Sequence, residues 1–533
     1  MAVAVPEEFI DHTTTAALEE KAKLQKHFKR FDLLFFLLCT LIGVDTIGSV
    51  ASNGAQGFTW LVFLGLFFFL PYGLLVAELG STFPEEGGPY VWTRLAFGRF
   101  PAALNAVIYW VSNPVWLGGS LTILAVTAYS EFFHPLTGIW KYAFSLAFIW
   151  TAVAAVILST DIGKWVPTIG AWMRIVVFGF FTISTVLYAI KNGVNGFGAG
   201  EFAPSYIAFI AVVPVLFFNY VGFELPSTAG EEMKDPKKDV PFAVIRSAII
   251  TFVLYGLPIL AILLVLPADR VTGLSGLLSA IKQVFTVFGG SVAANGDVTL
   301  TGAGHLLGDM AAIAFILMLL SSGTTWIMGA DRAMAASGFD GAAPRSFGRI
   351  SKRYGTPVTV NIWTGIISSL TMIAAYQIAG GNADKYFGAV LSLAISTTTI
   401  SYLAIFPALV KLRKTHPDVE RPYEVPGGMA GARVASWVTF FWAALATVAL
   451  IWPGFGVGWF GTSGSSADGL LGYGFKATER WQFEMTQIVP LLVFFGVGVL
   501  FYVMGKRTRE QAVDIPFEEE LALDAHGGEA PPA

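Results

Sequence analysis

Twelve apolar runs of about 20 or more residues set the limits on what this chain can fold into. They lie near 31–56, 58–79, 101–130, 140–160, 166–190, 205–230, 241–266, 304–331, 357–379, 384–411, 433–453 and 484–505. Each is long enough to cross roughly 30 Å of hydrocarbon as a helix. The composition agrees, with 55% hydrophobic and only 13% charged residues and a mean hydropathy of +0.64, the balance of an integral membrane protein. With the amino terminus placed inside, the great majority of the 33 Lys and Arg fall in inner segments. That asymmetry predicts a multi-pass protein of the cytoplasmic (plasma) membrane with both termini cytoplasmic. The expected fold class is therefore all-α and integral to the lipid bilayer, with twelve transmembrane helices.

Other classes find little support. The net charge of −4 is too small to suggest a nucleic-acid partner. The one cysteine, Cys39, rules out an intrachain disulfide framework. The six histidines are scattered, no pair has metal-binding spacing, and no cofactor is expected. An enzyme would show a nucleophile motif, a zinc motif or a phosphate loop, and none is present. A Gly456, Gly458, Gly461 triplet matches a dinucleotide spacing but has no strand before it. Residues 1–30 are mixed-charge and polar, unlike a cleavable signal.

Two of the runs are interrupted where the bilayer midplane should fall. The first carries Ile42 to Gly54, IGVDTIGSVASNG, and the sixth carries Asn219 to Pro226, NYVGFELP. Polar and backbone-loosening residues at that depth cost roughly 2.5–3.5 kcal/mol per charge and are a functional-site signal. The two runs are five spans apart, so they cross in opposite directions. Paired interruptions in inverted halves point to the midplane site of a secondary transporter. A channel would instead want a continuous polar pore. Spans 1–5 and 6–10 are expected to be the two repeats, giving a core at 31–411 after an N-terminal segment at 1–30. Spans 11 and 12, within 412–505, form an appendix suited to oligomerisation or lipid packing, so a homo-oligomer is an open expectation. The acidic tail, 506–533, is expected to be disordered from Glu510.

Unwinding near Gly43 to Gly48 frees amides around Ile47, Gly48 and Ser49, suited to a substrate carboxylate. The end of the first half of helix 6 offers carbonyls of Phe217, Phe218 and Asn219 to an α-ammonium group. Three charges lie on spans that should meet: Asp45, Glu224 and Arg174. Arginine does not lose its proton in proteins, so the expectation is that Arg174 pairs with Asp45 as a fixed counter-charge. Glu224 is then left to take up a coupling proton or a cationic group. Three connecting segments add expectations. Tyr90 to Phe100 alternates aromatic and basic residues, as an amphipathic helix packed at the membrane surface should. Leu274 to Val287 reads as a short helix, either a lid over the outer mouth or a plain surface helix, and Arg332 to Pro357 as a half-buried inner helix.

Three stretches resemble a known superfamily: Ala77 to Gly98 (AELGSTFPEEGGPYVWTRLAFG), Asn219 to Pro241 (NYVGFELPSTAGEEMKDPKKDVP) and Arg332 to Pro344 (RAMAASGFDGAAP). They look like the amino acid-polyamine-organocation permeases, over about residues 31 to 505. The resemblance implies a leucine-transporter-type 5+5 inverted repeat plus two additional helices. It also implies an amino acid or organic amine bound between helices 1, 3, 6, 8 and 10. Candidate substrate contacts by resemblance and position are Gly43, Asp45, Thr46, Ile47, Gly48, Ser49, Trp110, Asn113, Phe218, Asn219, Tyr220, Gly222, Phe223, Ser321, Ser322, Trp326 and Tyr402. The coupling candidates are Arg174, Glu224 and Asp45. Arg174 aligns with a lysine that stands at the sodium position in several sodium-independent members, which implies sodium independence. One departure is clear: helix 1 reads Gly43, Val44, Asp45 where the family commonly has glycine, a small residue and glycine. An amino acid is the expected substrate, carried by symport or exchange. A polyamine or other organic cation is the alternative, and so is glutamate/γ-aminobutyrate exchange.

Overall fold

A computed structural model describes residues 10–24, 26–158, 165–267, 270–271, 274–378, 383–452 and 475–516. The glycine triplet at 456–461 and the chain beyond 516 lie outside the described residues. Within them the protein is a bundle of helices, ten of them long and apolar enough to cross a membrane. A short N-terminal strand, β1 (Ile10–Thr14), leads into helix α1 (Thr15–Lys21). The bundle then begins with α2 (Arg30–Leu41), α3 (Ile47–Ala51) and α4 (Gly54–Thr82). Next come α5 (Pro89–Phe97), α6 (Arg99–Phe132), α7 (Gly138–Ile157) and α8 (Trp165–Asn192). The second half holds α9 (Tyr206–Tyr220), α10 (Pro236–Val265), α11 (Gly276–Phe285) and α12 (Gly302–Phe339). It closes with α13 (Val358–Ile378), α14 (Ala383–Thr415), α15 (Gly428–Ile451) and α16 (Arg480–Met504).

The two interruptions are present. Helix α2 stops at Leu41, and the chain is non-helical from Ile42 to Thr46 before the five residues of α3. Helix α9 stops at Tyr220 and resumes only as a 3₁₀ turn at Leu225–Thr228. Gly222 explains the second break. Its φ is +125°, a conformation that costs glycine little, and a Cβ there would lie 2.5 Å from the Thr40 methyl. The break of one helix is thus pressed against the end of the other.

Two connecting segments differ from expectation. Helix α5 is buried against α6, α12 and α14 rather than lying at a membrane surface. Its basic residues meet Asp340 instead of lipid headgroups: Arg94 lies 3.8 Å and the neighbouring Arg99 lies 3.0 Å from that carboxylate, and Tyr90 donates to it. The inner segment after span 8 is helical only to Phe339, as the last turns of a continuous α12, and runs on in turns to Pro357; its Arg332 is buried in an ion pair, 2.7 Å from Glu232. Helix α11 is largely buried. It packs over α3, where a Cβ on Gly276 would sit 3.5 Å from Gly48 Cα.

The chain does not become irregular at Glu510. Strand β2 (Ala512–Pro516) pairs antiparallel with β1, matching Ile10 with Pro516 and Thr14 with Ala512. Thr14 caps α1 and donates to the carbonyl of Phe339 at the end of α12 (2.6 Å). Lys21 then reaches Glu231 at 2.8 Å and Glu85 at 3.4 Å, with its side chain 3% exposed. The strand pair is therefore fastened to one end of the bundle, by Thr14 on α12 and by Lys21 between two carboxylates.

That end holds Glu86 beside Arg332 (3.7 Å), with neither carboxylate oxygen hydrogen-bonded. Burial, and next the charge of Glu232, push the Glu86 pKa well above the usual carboxylate range. The folded state therefore holds this proton more tightly than the unfolded chain, and stability is lost as pH rises through the ordinary glutamate range toward the raised value. Glu86→Gln should flatten that dependence, measured as melting temperature between about pH 5 and about pH 8. An unchanged slope would refute the assignment.

Candidate functional site

Asp45 lies in the non-helical segment of the first broken helix and is 2% exposed. Its Oδ2 accepts from the indole N–H of Trp116 (2.7 Å) and the hydroxyl of Ser120 (3.5 Å), while Oδ1 has no hydrogen-bond partner. Both donors come from α6, where a π-helical stretch at Leu117–Leu121 turns the helix locally. Such single π-turns are frequent at functional sites. Trp116 packs edge-to-face on Phe218 (5.7 Å) and on Trp326 (6.2 Å), and Trp326 donates to the carbonyl of Thr40 (3.3 Å). Gly43 lies directly against Asp45: a Cβ there would be 3.2 Å from Oδ1. Thr46 bonds the hydroxyl of Tyr255 on α10. Asn219 is 3% exposed with both side-chain polar atoms unpartnered, and Ser49 is 4% exposed with an unpartnered hydroxyl. Buried polar atoms are ordinarily paired, so this concentration of unpartnered ones marks a place built to meet something else.

Glu224 is fully buried at the second break and is held by three tyrosines. Tyr109 on α6 donates at 2.7 Å, Tyr402 on α14 at 2.5 Å, and Tyr72 on α4 donates as well. The Tyr72 hydroxyl also accepts from the amides of Gly222 and Phe223, both at 3.0 Å. It therefore links the carboxyl directly to the backbone that replaces the helix.

Arg174 does not pair with Asp45. Its Nε donates to the carbonyl of Ile42 (3.0 Å), and its terminal nitrogens donate to the carbonyls of Gly170 (2.8 Å) and Met318 (3.0 Å) and to Ser321 (3.1 Å) and Ser322. One of these carbonyls, Ile42, is freed by the first break, and together the five oxygens satisfy a buried guanidinium better than one pair would. Ser321 and Ser322 thus serve Arg174.

Four other candidates are placed elsewhere. Trp110 donates to Asp331 and Thr364, both at 2.9 Å, in a separate buried cluster completed by Asn361. Asn113 is bonded within its own helix, to the carbonyl of Tyr109 (3.3 Å). Tyr220 donates to the carbonyl of Leu61 (2.8 Å) and stacks on Phe69; Phe223 stacks on the same ring. Sequence reasoning missed Tyr72, Tyr109, Trp116, Ser120, Tyr255 and Asp331. Only Asp331 carried a usable signal, a charge at the margin of an apolar run now seen to be helical through Phe339.

A family model described as amino acid permease matches residues 28–462. Among curated proteins, a probable agmatine/putrescine antiporter of Lactococcus lactis is 27% identical over 406 residues, 76% of this chain and 83% of that protein. A branched-chain amino acid permease of Bacillus subtilis is 24% identical over 436 residues, 77% of this chain and 86% of the other.

Proposed function

The chain belongs to the amino acid permease family of the amino acid-polyamine-organocation superfamily, and from that premise we propose that it is a secondary transporter of amino acids or related organic amines. The solute is bound at the two helix breaks and carried across the cytoplasmic membrane by alternating access. One observation carries this reading: the second break, at Gly222, is pressed against the end of α2 beside the first, and at or next to the breaks Asp45 Oδ1, the Ser49 hydroxyl and the Asn219 amide are buried without hydrogen-bond partners. Non-helical backbone at membrane depth survives where it is buried in protein and serves a site. On this reading the two breaks belong to inverted halves of a ten-helix core, two further helices follow, and both termini face the cytoplasm, as the Lys and Arg distribution indicates. The relatives transport amines and branched-chain amino acids according to their names, which supports the same solute range here.

Transport is sodium-independent in this reading. The oxygens of Ile42, Gly170, Met318, Ser321 and Ser322 form the kind of carbonyl and hydroxyl shell that a small hard cation requires, and the Arg174 guanidinium fills it. The test is counterflow of labelled amines and amino acids in proteoliposomes. Rates should be unchanged when choline replaces sodium; collapse in choline would refute sodium independence. Absence of counterflow with every compound would refute transport itself.

A further inference from the structure

We propose that Asp45 is the specificity-determining residue of this site, and that the solute it selects is an organic amine without an α-carboxylate. The inference rests on the transport reading above and narrows its substrate. Asp45 is buried, its Oδ2 is fixed by neutral donors from Trp116 and Ser120, and its Oδ1 is bare. A carboxylate in low dielectric that has only neutral donors is completed by a cation. The indole that fixes it is packed against two more aromatic rings, Phe218 and Trp326, and aromatic faces attract ammonium and guanidinium groups. The unpartnered carbonyl oxygen of the Asn219 amide, from the facing helix, supplies a second acceptor for the same kind of donor.

Among the described residues the site offers a negative group no free charged receptor, only the neutral donors of the Ser49 hydroxyl and the Asn219 amide nitrogen. Arg174 is the basic residue nearest the breaks. Its guanidinium donors are engaged with the carbonyls of Ile42, Gly170 and Met318, the hydroxyls of Ser321 and Ser322, and Cys39. The helix that follows the first break, α3, is only five residues long, and its first residue comes two positions after the Asp45 carboxylate. A substrate carboxylate placed there would meet a fixed like charge at close range. Removing the carboxylate from the solute removes that repulsion and leaves the amine contacts intact.

Matched pairs that differ only in the α-carboxylate isolate the effect: putrescine with ornithine, agmatine with arginine, cadaverine with lysine. Dissociation constants are measured by calorimetry on the purified full chain, and counterflow is measured in parallel. In at least one pair the decarboxylated member should bind about tenfold tighter or more. Asp45→Asn, which keeps the shape, should lose at least that preference. Its melting temperature checks that it is folded, and the wild-type comparison stands without any variant. Equal or tighter binding of the amino acid in every pair that binds would overturn this inference while leaving transport intact. Preferences unchanged in folded Asp45→Asn would overturn Asp45 as the determinant. Failure of counterflow across all six compounds and the twenty amino acids would instead strike the transport reading.

Discussion

Arg174→Ala should destabilise the protein by several kcal/mol, because the buried oxygens it now satisfies lose a charged donor and each unsatisfied group costs about 1–3 kcal/mol. The same shell of Ile42, Gly170, Met318, Ser321 and Ser322 then becomes open to a small cation. The variant should therefore melt several degrees below the parent in choline and recover part of that loss in sodium, by mass action of a ligand on the folded state. The parent should not respond to sodium. A scan of melting temperature against sodium concentration for both proteins decides the matter. A variant equally stable in choline and sodium would show that the shell does not behave as a cation site. A variant as stable as the parent would show that the guanidinium is not structural at all.

Glu224→Gln should uncouple transport from the proton gradient. Glu224 is surrounded by hydroxyls of Tyr72, Tyr109 and Tyr402 and has no basic partner among the described residues. It is therefore free to gain and lose a proton without breaking an ion pair. Through Tyr72 it is tied to the amides of Gly222 and Phe223, so a change in its charge is felt at once by the backbone of the break. Glutamine has nearly the same shape but no titration. The expected result is that uphill uptake driven by a pH gradient falls about tenfold or more, while counterflow at equal pH survives. Unchanged pH dependence of uptake would sink the coupling role.

The long apolar helices were legible because they are written in run length, an average over many residues. The two breaks were legible for a different reason. Asp45 and Glu224 are charges where charge is expensive, and Gly222 permits a backbone that other residues resist. What could not be read was pairing. Arg174 meets the Ile42 carbonyl, which is free only because helix 1 is broken, and carbonyls of Gly170 and Met318 in intact helices, and no sequence pattern announces a carbonyl as a partner. Trp110 was singled out while Trp116 in the same helix was not, yet an offset of six positions puts them on different helix faces and sends one to Asp331 and the other to Asp45. The tyrosines around Glu224 come from three helices far apart in sequence, each individually ordinary. The terminal strand pair was invisible because five residues of modest apolarity give no signal until a partner strand lies beside them.

That pair has a mechanical meaning. A two-stranded sheet is marginal by itself, so β1 and β2 hold together through what they are attached to: Thr14 on the end of α12 and Lys21 between Glu85 and Glu231. The linkage works like a buckle with one tongue at each end of the chain. A tag, a truncation or a binding protein acting on residues 512–516 therefore pulls on α12, the same helix that carries Ser321, Ser322 and Trp326 to the breaks.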